Sequence, residues 1–338
     1  MSLDFKIIIN KIASGERLTR QQSCDAFDYM MSGDATGAQI GAFLMGLRLR
    51  GETIEEITGA AEAMRAKAHF ITAPEDAVDT CGTGGDNAHT YNISTATAIV
   101  LAASGVHVAK HGNRAISSKS GSADVLETLG INIEADMATV ERCVRKIGIG
   151  FMMATRHHSA MRHVGPSRAS LGTRTIFNLL GPLSNPAGAK YQVIGVFDKN
   201  WTAPLAEVLG RLGSKRVWVV HGADGLDELS ISGPSFVAEY HNGKISSFEI
   251  TPKDAGLDSH PLSDIRGGDA AHNARALKGL LQGAQNAYRD IVLLNSAAAL
   301  LVAGKARDLK QGAGLAAQAI DSGAASAKLD QWVTLSNE

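Results

Sequence analysis

The chain is short of the features that announce several large classes of protein. Its 338 residues hold three cysteines. Cys24, Cys81 and Cys143 are odd in number, far apart and never in C-x-x-C spacing, which speaks against a disulfide framework or a cysteine metal or redox site and predicts reduced thiols. Cys81, beside a glycine-rich stretch, reads either as a reactive thiol or as a small residue closing a buried strand. No apolar run reaches membrane-spanning length. The opening MSLDFKIIINKIASGERL has neither a basic segment ahead of a long apolar core nor a small-residue cleavage site, so no membrane and a cytoplasmic location are expected. Charge of either sign is in no excess: 33 Lys and Arg against 34 Asp and Glu leave a net charge of −1. No global field gathers nucleic acid, and no nucleic-acid partner is expected. Neither the Walker A pattern G-x-x-x-x-G-K-[ST] nor the dinucleotide pattern G-x-G-x-x-G accompanies the glycines, which weakens ATPase and dinucleotide readings.

What the chain does have is glycine, 36 residues of it, in an otherwise ordinary composition with 44% hydrophobic residues. Its length predicts about two domains. The first seventy residues carry three helix-start signals of the S/T-x-x-E/Q kind, Thr19 with Gln22, Thr36 with Gln39 and Thr53 with Glu56. Between them Ile40, Phe43, Leu44 and Leu47 share an apolar face, and Gly37, Gly41 and Ala42 would let another helix approach closely, from this chain or from a second copy. After Pro74 short apolar strands alternate with helical stretches, which predicts an α/β sheet of mostly parallel strands. Strands are expected at 77–79, 106–109, 150–153, 192–197 and 216–221, then a hairpin, 236–240 and 245–250, around His241-Asn242-Gly243. Residues 164–180 read as helical and rejoin the N-terminal helices in space. Gly181-Pro182 and Asn185-Pro186 end that section, and helices over 290–303 and 314–327 close the fold. The expected fold class is therefore α/β: a small helical domain, 1–73, and a larger α/β domain, 74–338, with a mostly parallel central sheet.

The chemistry-bearing residues gather around 78–127. A first loop, Gly82 to Asp86, is followed by Thr90, Asn92, Ser94 and Thr95 where a helix should begin, so that free backbone N–H groups and the helix dipole can take a phosphate without a lysine. A plain tight turn is the alternative. A second loop collects Lys110, His111, Asn113 and the hydroxyls of Ser117, Ser118, Ser120 and Ser122, with Gly112 and Gly121 for close backbone approach. Two anion loops about one helix apart point to one polyphosphate ligand. Arg156, His157, His158, Arg162, His163 and Arg168 make a local basic segment suited to a carboxylate-bearing substrate. A zinc site from its histidines would need H-E-x-x-H or cysteine ligands; helix-surface histidines are the reading preferred for His157 and His163. Asp227-Glu228 is by itself a solvated pair in a turn, though after Gly225 both carboxylates can reach a cleft.

In consistent order, DTCGTGGD, NISTA, KHGNRAISSKSGSADVLE, RTIFNLLGPLSNP and HGADGLDEL resemble the motifs of the anthranilate phosphoribosyltransferase family, kin in fold to the pyrimidine nucleoside phosphorylases. The resemblance runs through most of the chain. It implies transfer of the 5-phosphoribosyl group from 5-phosphoribosyl 1-diphosphate to the amine of anthranilate in tryptophan biosynthesis, with magnesium and a homodimer through the helical domain. It places Gly82, Gly85, Asp86, Thr90, Asn92, Ile93, Ser94, Thr95, Lys110, Ser118 and Ser122 at the diphosphate donor. Around anthranilate it places Gly82, His111, Asn113 and His158, with Arg168 on the carboxylate. Asp227 and Glu228 match the acidic magnesium pair, and Ser94 the hydroxyl ligand of a second ion. His111 and Asn113 then position the reacting groups. Where His157 stands the family usually shows an aromatic or small residue. Two alternatives stay open: a nucleoside phosphorylase of the same fold, which should lack the Asp227-Glu228 site and Arg168, and a non-catalytic nucleic-acid-binding paralogue.

Overall fold

The computed structural model describes residues 4–86, 88–115 and 119–338. Four helices come first: α1 (Phe5–Ala13), α2 (Arg20–Ser32), α3 (Gly37–Arg50) and α4 (Ile54–Ala66). All three predicted capping boxes form, closing the starts of α2, α3 and α4 through Thr19 and Gln22, Thr36 and Gln39, and Thr53 and Glu56. Each such cap contributes about 1 kcal/mol.

Next come β1 (Val78–Gly82), α5 (Ile93–Ala103), β2 (Val108–Gly112), α6 (Ser122–Thr128), α7 (Met137–Ile147) and β3 (Ile149–Met153). Three short helices follow, α8 (Ala154–His157), α9 (Gly165–Leu171) and α10 (Phe177–Leu183). The chain then forms β4 (Tyr191–Gly195), α11 (Thr202–Arg211), β5 (Arg216–Gly222), β6 (Ser235–His241) and β7 (Lys244–Ile250). It closes with α12 (Ala270–Leu281), α13 (Ala287–Val302), α14 (Leu309–Asp321) and α15 (Ala324–Ser336).

The seven strands lie in one sheet in the order β3-β2-β1-β4-β5-β6-β7. The first five run parallel, and β6 and β7 are antiparallel. All seven predicted strands are present, with ends displaced by up to three residues. Side-chain alternation along each strand separates two cores. On β5, Trp218 and Val220 join Leu294, Ala298 and other residues of the closing helices, whereas Val217 and Val219 join Leu205 and Leu209 of α11 and the N-terminal helices. The second core also takes in Val164, Ile176, Phe177 and Leu180, and Phe177 meets Phe27 of α2 edge to face, 5.3 Å between centroids.

Two helical expectations differ from what forms: the helix expected over 314–327 is broken at Ser322 and Gly323, between α14 and α15, and one boundary shifts. Gly181-Pro182 does not end the helical section, because Pro182 lies in the last turn of α10. There its missing N–H costs one hydrogen bond, and its carbonyl accepts from Gln192 Nε2 at 3.1 Å. The chain leaves the helical layer at Ser184 and Asn185 instead. Among the described residues no helix is long and apolar enough to cross a membrane.

Candidate active site

Parallel strands leave their ligand crevice beyond their carboxyl ends. Here β1, β2 and β5 deliver the first glycine loop, the second polar loop and Asp227-Glu228 to one place. They wall a cavity of about 340 Å³ lined by Gly82 to Asp86, His89 to Ser94, Lys110 to Ala115, Ser120 to Ser122, Asn178, Asp227 and Glu228. Gly84 and Gly85 hold φ of +66° and +76°, as a tight turn requires. Gly82 serves differently: it is glycine because the Asp227 carboxylate presses against it, and Gly195 of β4 is crowded by the Asp227 backbone in the same way. The Gly84 N–H donates to Asp227 Oδ2 at 2.6 Å.

Asp227 and Glu228 are half-buried rather than a solvated pair. Burial raises both carboxyls above their ordinary range, most strongly Asp227, and Asp86 adds repulsion to each. Glu228 is held down in part by Lys110 and by the N–H and hydroxyl of Ser94. The Lys110 ammonium, 1% exposed, donates to the Thr80 carbonyl at 2.5 Å and to Ser94 Oγ at 3.3 Å. Three carboxylates therefore face one lysine, an excess of negative charge that a cation would relieve. Among the described residues no group of three or more His, Cys, Asp or Glu side chains could hold a metal alone.

The second loop is pinned by Asp124, which accepts from the N–H groups of Ala115 (3.0 Å) and Gly121 (2.8 Å). Arg114, drawn to Asp124 and Glu127, is neutralised. Ser122 Oγ donates to the Asn113 carbonyl at 3.1 Å. Ser117 and Ser118 lie outside the described residues. The Thr95 side chain is 1% exposed and is not among the residues that line the cavity.

A second cavity of about 340 Å³ shares Cys81, Gly82, Thr83, His111, Gly112, Asn113 and Asn178 with the first. Its remaining lining is mostly helical and apolar, from Met64, Ala154, Met161, Phe177, Gly181 and Pro182, with Thr155, His158, Gly165 and Arg168. Arg168 lies with its guanidinium 5.0 Å from the centroid of the Phe177 ring. Burial lowers its pKa, and among the described residues no carboxylate pairs with it. An uncompensated guanidinium on an apolar wall is a receptor for an anion, and its fork fits a carboxylate.

His111 and His158 are both buried, with rings 5.1 Å apart. Burial lowers both pKa values, His111 far below its ordinary value and His158 to about 4, so both imidazoles are neutral at physiological pH. His111 Nε2 is buried without a hydrogen-bond partner.

Of the basic segment only His158 and Arg168 reach this cavity. Arg156 is drawn to Glu134 (3.1 Å), and His157 is not a helix-surface residue: 2% exposed, its Nδ1 lies 2.6 Å from the His69 carbonyl, tying the linker after α4 to α8. His163 packs against Gly33. Burial, with the Asp79 carboxyl adding to it, pushes the Cys81 thiol well above the ordinary range, which fits a small residue closing the buried strand.

Sequence reasoning missed Asp79 and Asn185. Asp79, fully buried, accepts from the His111 N–H at 3.1 Å and from Asn185 Nδ2 at 2.8 Å; Asn185 also donates to the Ala109 carbonyl at 2.9 Å. Burial raises the Asp79 carboxyl, and Lys110 and these donors oppose the rise. The pair fixes where β2 delivers His111. Asn178, on the shared wall, was within a quoted motif without a role; the acidic and amide residues inside those motifs were the available signal.

Comparison with known proteins agrees in fold and length. The description "Glycosyl transferase family, a/b domain" matches residues 74–326, and "Glycosyl transferase family, helical bundle domain" matches residues 6–68. The anthranilate phosphoribosyltransferase of Rhodopseudomonas palustris (strain TIE-1) is 60% identical over 334 residues, 99% of each chain. Among solved structures, the enzyme of that name from Thermus thermophilus superposes with a TM-score of 0.94 at 42% identity, covering 99% of this chain and 100% of the other. The Saccharomyces cerevisiae enzyme in complex with PRPP and Mg gives a TM-score of 0.91 at 29% identity, covering 98% of both chains.

Proposed function

The chain belongs to the anthranilate phosphoribosyltransferase family, and from that premise we propose how its cleft divides the work. The protein transfers the 5-phosphoribosyl group of 5-phosphoribosyl 1-diphosphate to the amine of anthranilate, releasing diphosphate. The observation that carries the division is the pair of cavities meeting at Gly82, His111 and Asn113, one rich in anion-binding groups and the other apolar with a single unpaired guanidinium.

In this reading the polar cavity takes the donor. Backbone N–H groups of the glycine loop, the Asn92, Ser94 and Ser122 side chains and Lys110 hold its phosphates, with Gly85, Asp86, Thr90 and Ile93 along its length. Thr95 acts from beneath, by packing. Asp227 and Glu228, with Ser94, hold magnesium; their excess charge fits a cation, and the sparse ligand set fits an ion completed by water and substrate phosphates. Bound there, magnesium offsets the charge that grows on the departing diphosphate.

The apolar cavity takes anthranilate, its carboxylate on Arg168 and its ring among Met64, Met161, Phe177 and His158. That pose brings the amine to His111 and Asn113, beside the anomeric carbon. The C–N bond forms as the C–O bond to diphosphate breaks, and the amine then sheds a proton. His111, neutral with Nε2 unpaired, accepts a hydrogen bond from the amine and orients it; holding two reactants in line accounts for more of the rate than proton transfer. The test is to mix the protein with both substrates and magnesium and follow anthranilate fluorescence. It falls in proportion to enzyme if the reading holds, and no loss at any protein concentration overturns it.

We also propose a cytoplasmic homodimer through the helical domain. Ile7 of α1 and Leu49 of α3 are 63% and 82% exposed, and a side chain at Gly41 would meet open space, whereas Gly37 already packs on Ser167. Sedimentation should give twice the chain mass for the protein and a shift toward one chain for Leu49→Asp; a monomer at the outset contradicts this.

A further inference from the structure

Asn92 sits at the N-cap of α5, a position where an asparagine side chain ordinarily caps the first turn, yet it makes no such bond. Its side chain is engaged elsewhere. Asn273 of α12, 2% exposed, donates from Nδ2 to Asn92 Oδ1 at 2.9 Å and accepts at Oδ1 from the Gly268 N–H at 2.8 Å. A backbone N–H can only donate, so Gly268 decides which end of the Asn273 amide faces it. Asn273 must then turn its NH2 toward Asn92, and Asn92 must answer with its carbonyl. The Asn92 NH2 is left pointing the other way, toward the second loop, where its nearest partner is the Ser120 carbonyl at 3.4 Å.

The surroundings hold this chain of amides in place. Gly267 is glycine where the Thr90 carbonyl and Asn273 Oδ1 crowd it, its N–H donates to the His89 carbonyl at 2.8 Å, and the Tyr91 N–H donates to the Ile265 carbonyl at 3.0 Å. Tyr288, buried, donates from its hydroxyl to the Asn92 carbonyl at 3.1 Å. Both the backbone and the side chain of Asn92 are thus set from behind by residues that do not line the cavity.

We propose that Asn273 is a positioning residue for the transfer reaction: through the Gly268 to Asn273 to Asn92 relay it makes Asn92 present its NH2 group, and not a carbonyl, to the anionic donor substrate. This rests on the assignment of Asn92 as a donor contact. An Asn92 turned over would set a carbonyl oxygen against a phosphate oxygen, replacing attraction by repulsion at the same distance.

Asn273→Asp tests it, because aspartate still accepts from Gly268 but cannot donate to Asn92. The KM for 5-phosphoribosyl 1-diphosphate should rise by about tenfold to a hundredfold, the range for losing a charge-assisted hydrogen bond, while the KM for anthranilate stays within about twofold. The new carboxylate could also repel the substrate directly, and a double-variant cycle separates the two effects. In an Asn92→Ala background a relay gives Asn273→Asp little further effect on donor KM, whereas direct repulsion persists in full and overturns the proposal. If Asn92→Ala alone leaves donor KM unchanged, the assignment of Asn92 fails and the proposal with it. If Asn92→Ala raises donor KM and Asn273→Asp does not, the relay alone fails. Should the aspartate variant not fold, the unsubstituted protein decides: the Asn273 side-chain N–H resonance shifts when 5-phosphoribosyl 1-diphosphate binds, and an unmoved resonance contradicts the relay.

Discussion

The polar cavity is walled by loops leaving the carboxyl ends of β1, β2 and β5, and its polar groups include backbone N–H groups, hydroxyls, carboxylates and the Lys110 ammonium. The apolar cavity is walled largely by α4, α8, α9 and α10 of the helical layer, and its charged group is one guanidinium. The sign of the charge is opposite as well: the first holds acidic groups raised by burial and mutual repulsion, the second holds histidines kept neutral and an arginine without a counter-ion. A phosphate ester needs many weak donors arranged by backbone, which loops supply. An aromatic acid needs a dry slot and one fixed cation, which helices supply. Because the halves come from different layers, substitutions in each should leave separate kinetic signatures.

The largest effect is expected on the donor side. Asp227→Asn with Glu228→Gln should lower kcat by about a hundredfold to a thousandfold, the usual loss when stabilisation of a leaving group is removed, and should flatten the response to magnesium. Steady-state assays across a magnesium titration measure this; an unchanged magnesium response would break the assignment.

Acid should separate the halves next. The His158 imidazole titrates near 6.5 when unfolded and about 4 when folded. Between those values the unfolded chain binds more protons, so stability falls as pH falls, being fully present above pH 6.5 and lost through pH 4. At 1.36 kcal/mol per unit this is on the order of 3 kcal/mol from the acceptor half. The raised Glu228 and Asp227 carboxyls act in the other direction, favouring the metal-free fold at low pH. Urea unfolding of the protein and of His158→Gln from pH 8 to pH 4 checks the sign: the variant should lose less stability, and a steeper loss would contradict the assignment.

The smallest of the three is the most selective. Arg168→Ala should raise the KM for anthranilate by about tenfold to a hundredfold and leave that for the diphosphate donor within about twofold, with Arg168→Lys in between because an ammonium lacks the fork. Equal changes in both constants would erase the boundary between the halves.

The two halves also differed in how far the sequence disclosed them. The helix starts at Thr19, Thr36 and Thr53, the seven strands and the glycine loop are local patterns, and all appear where spacing placed them. The donor half is built from such patterns. The acceptor half depends on what neighbours in space take away: Arg156 is drawn to Glu134, and His157 to the His69 carbonyl, so a basic run of six residues leaves His158 and Arg168 in the cavity. The same blindness hid the supports behind the donor loops. Asp79 with Asn185, and Asn273 behind Asn92, act across separations of 106 and 181 residues, which no local spacing records.

A cleft split between two substrates that meet at His111 and Asn113 would be visible in a crystal structure with anthranilate and 5-phosphoribosyl 1-diphosphate bound together. The anthranilate carboxylate should lie on Arg168, and its amine should face the anomeric carbon beside His111 Nε2, with the diphosphate between the two loops. A carboxylate found instead against Lys110 and the glycine loop, with Arg168 empty, would contradict the account.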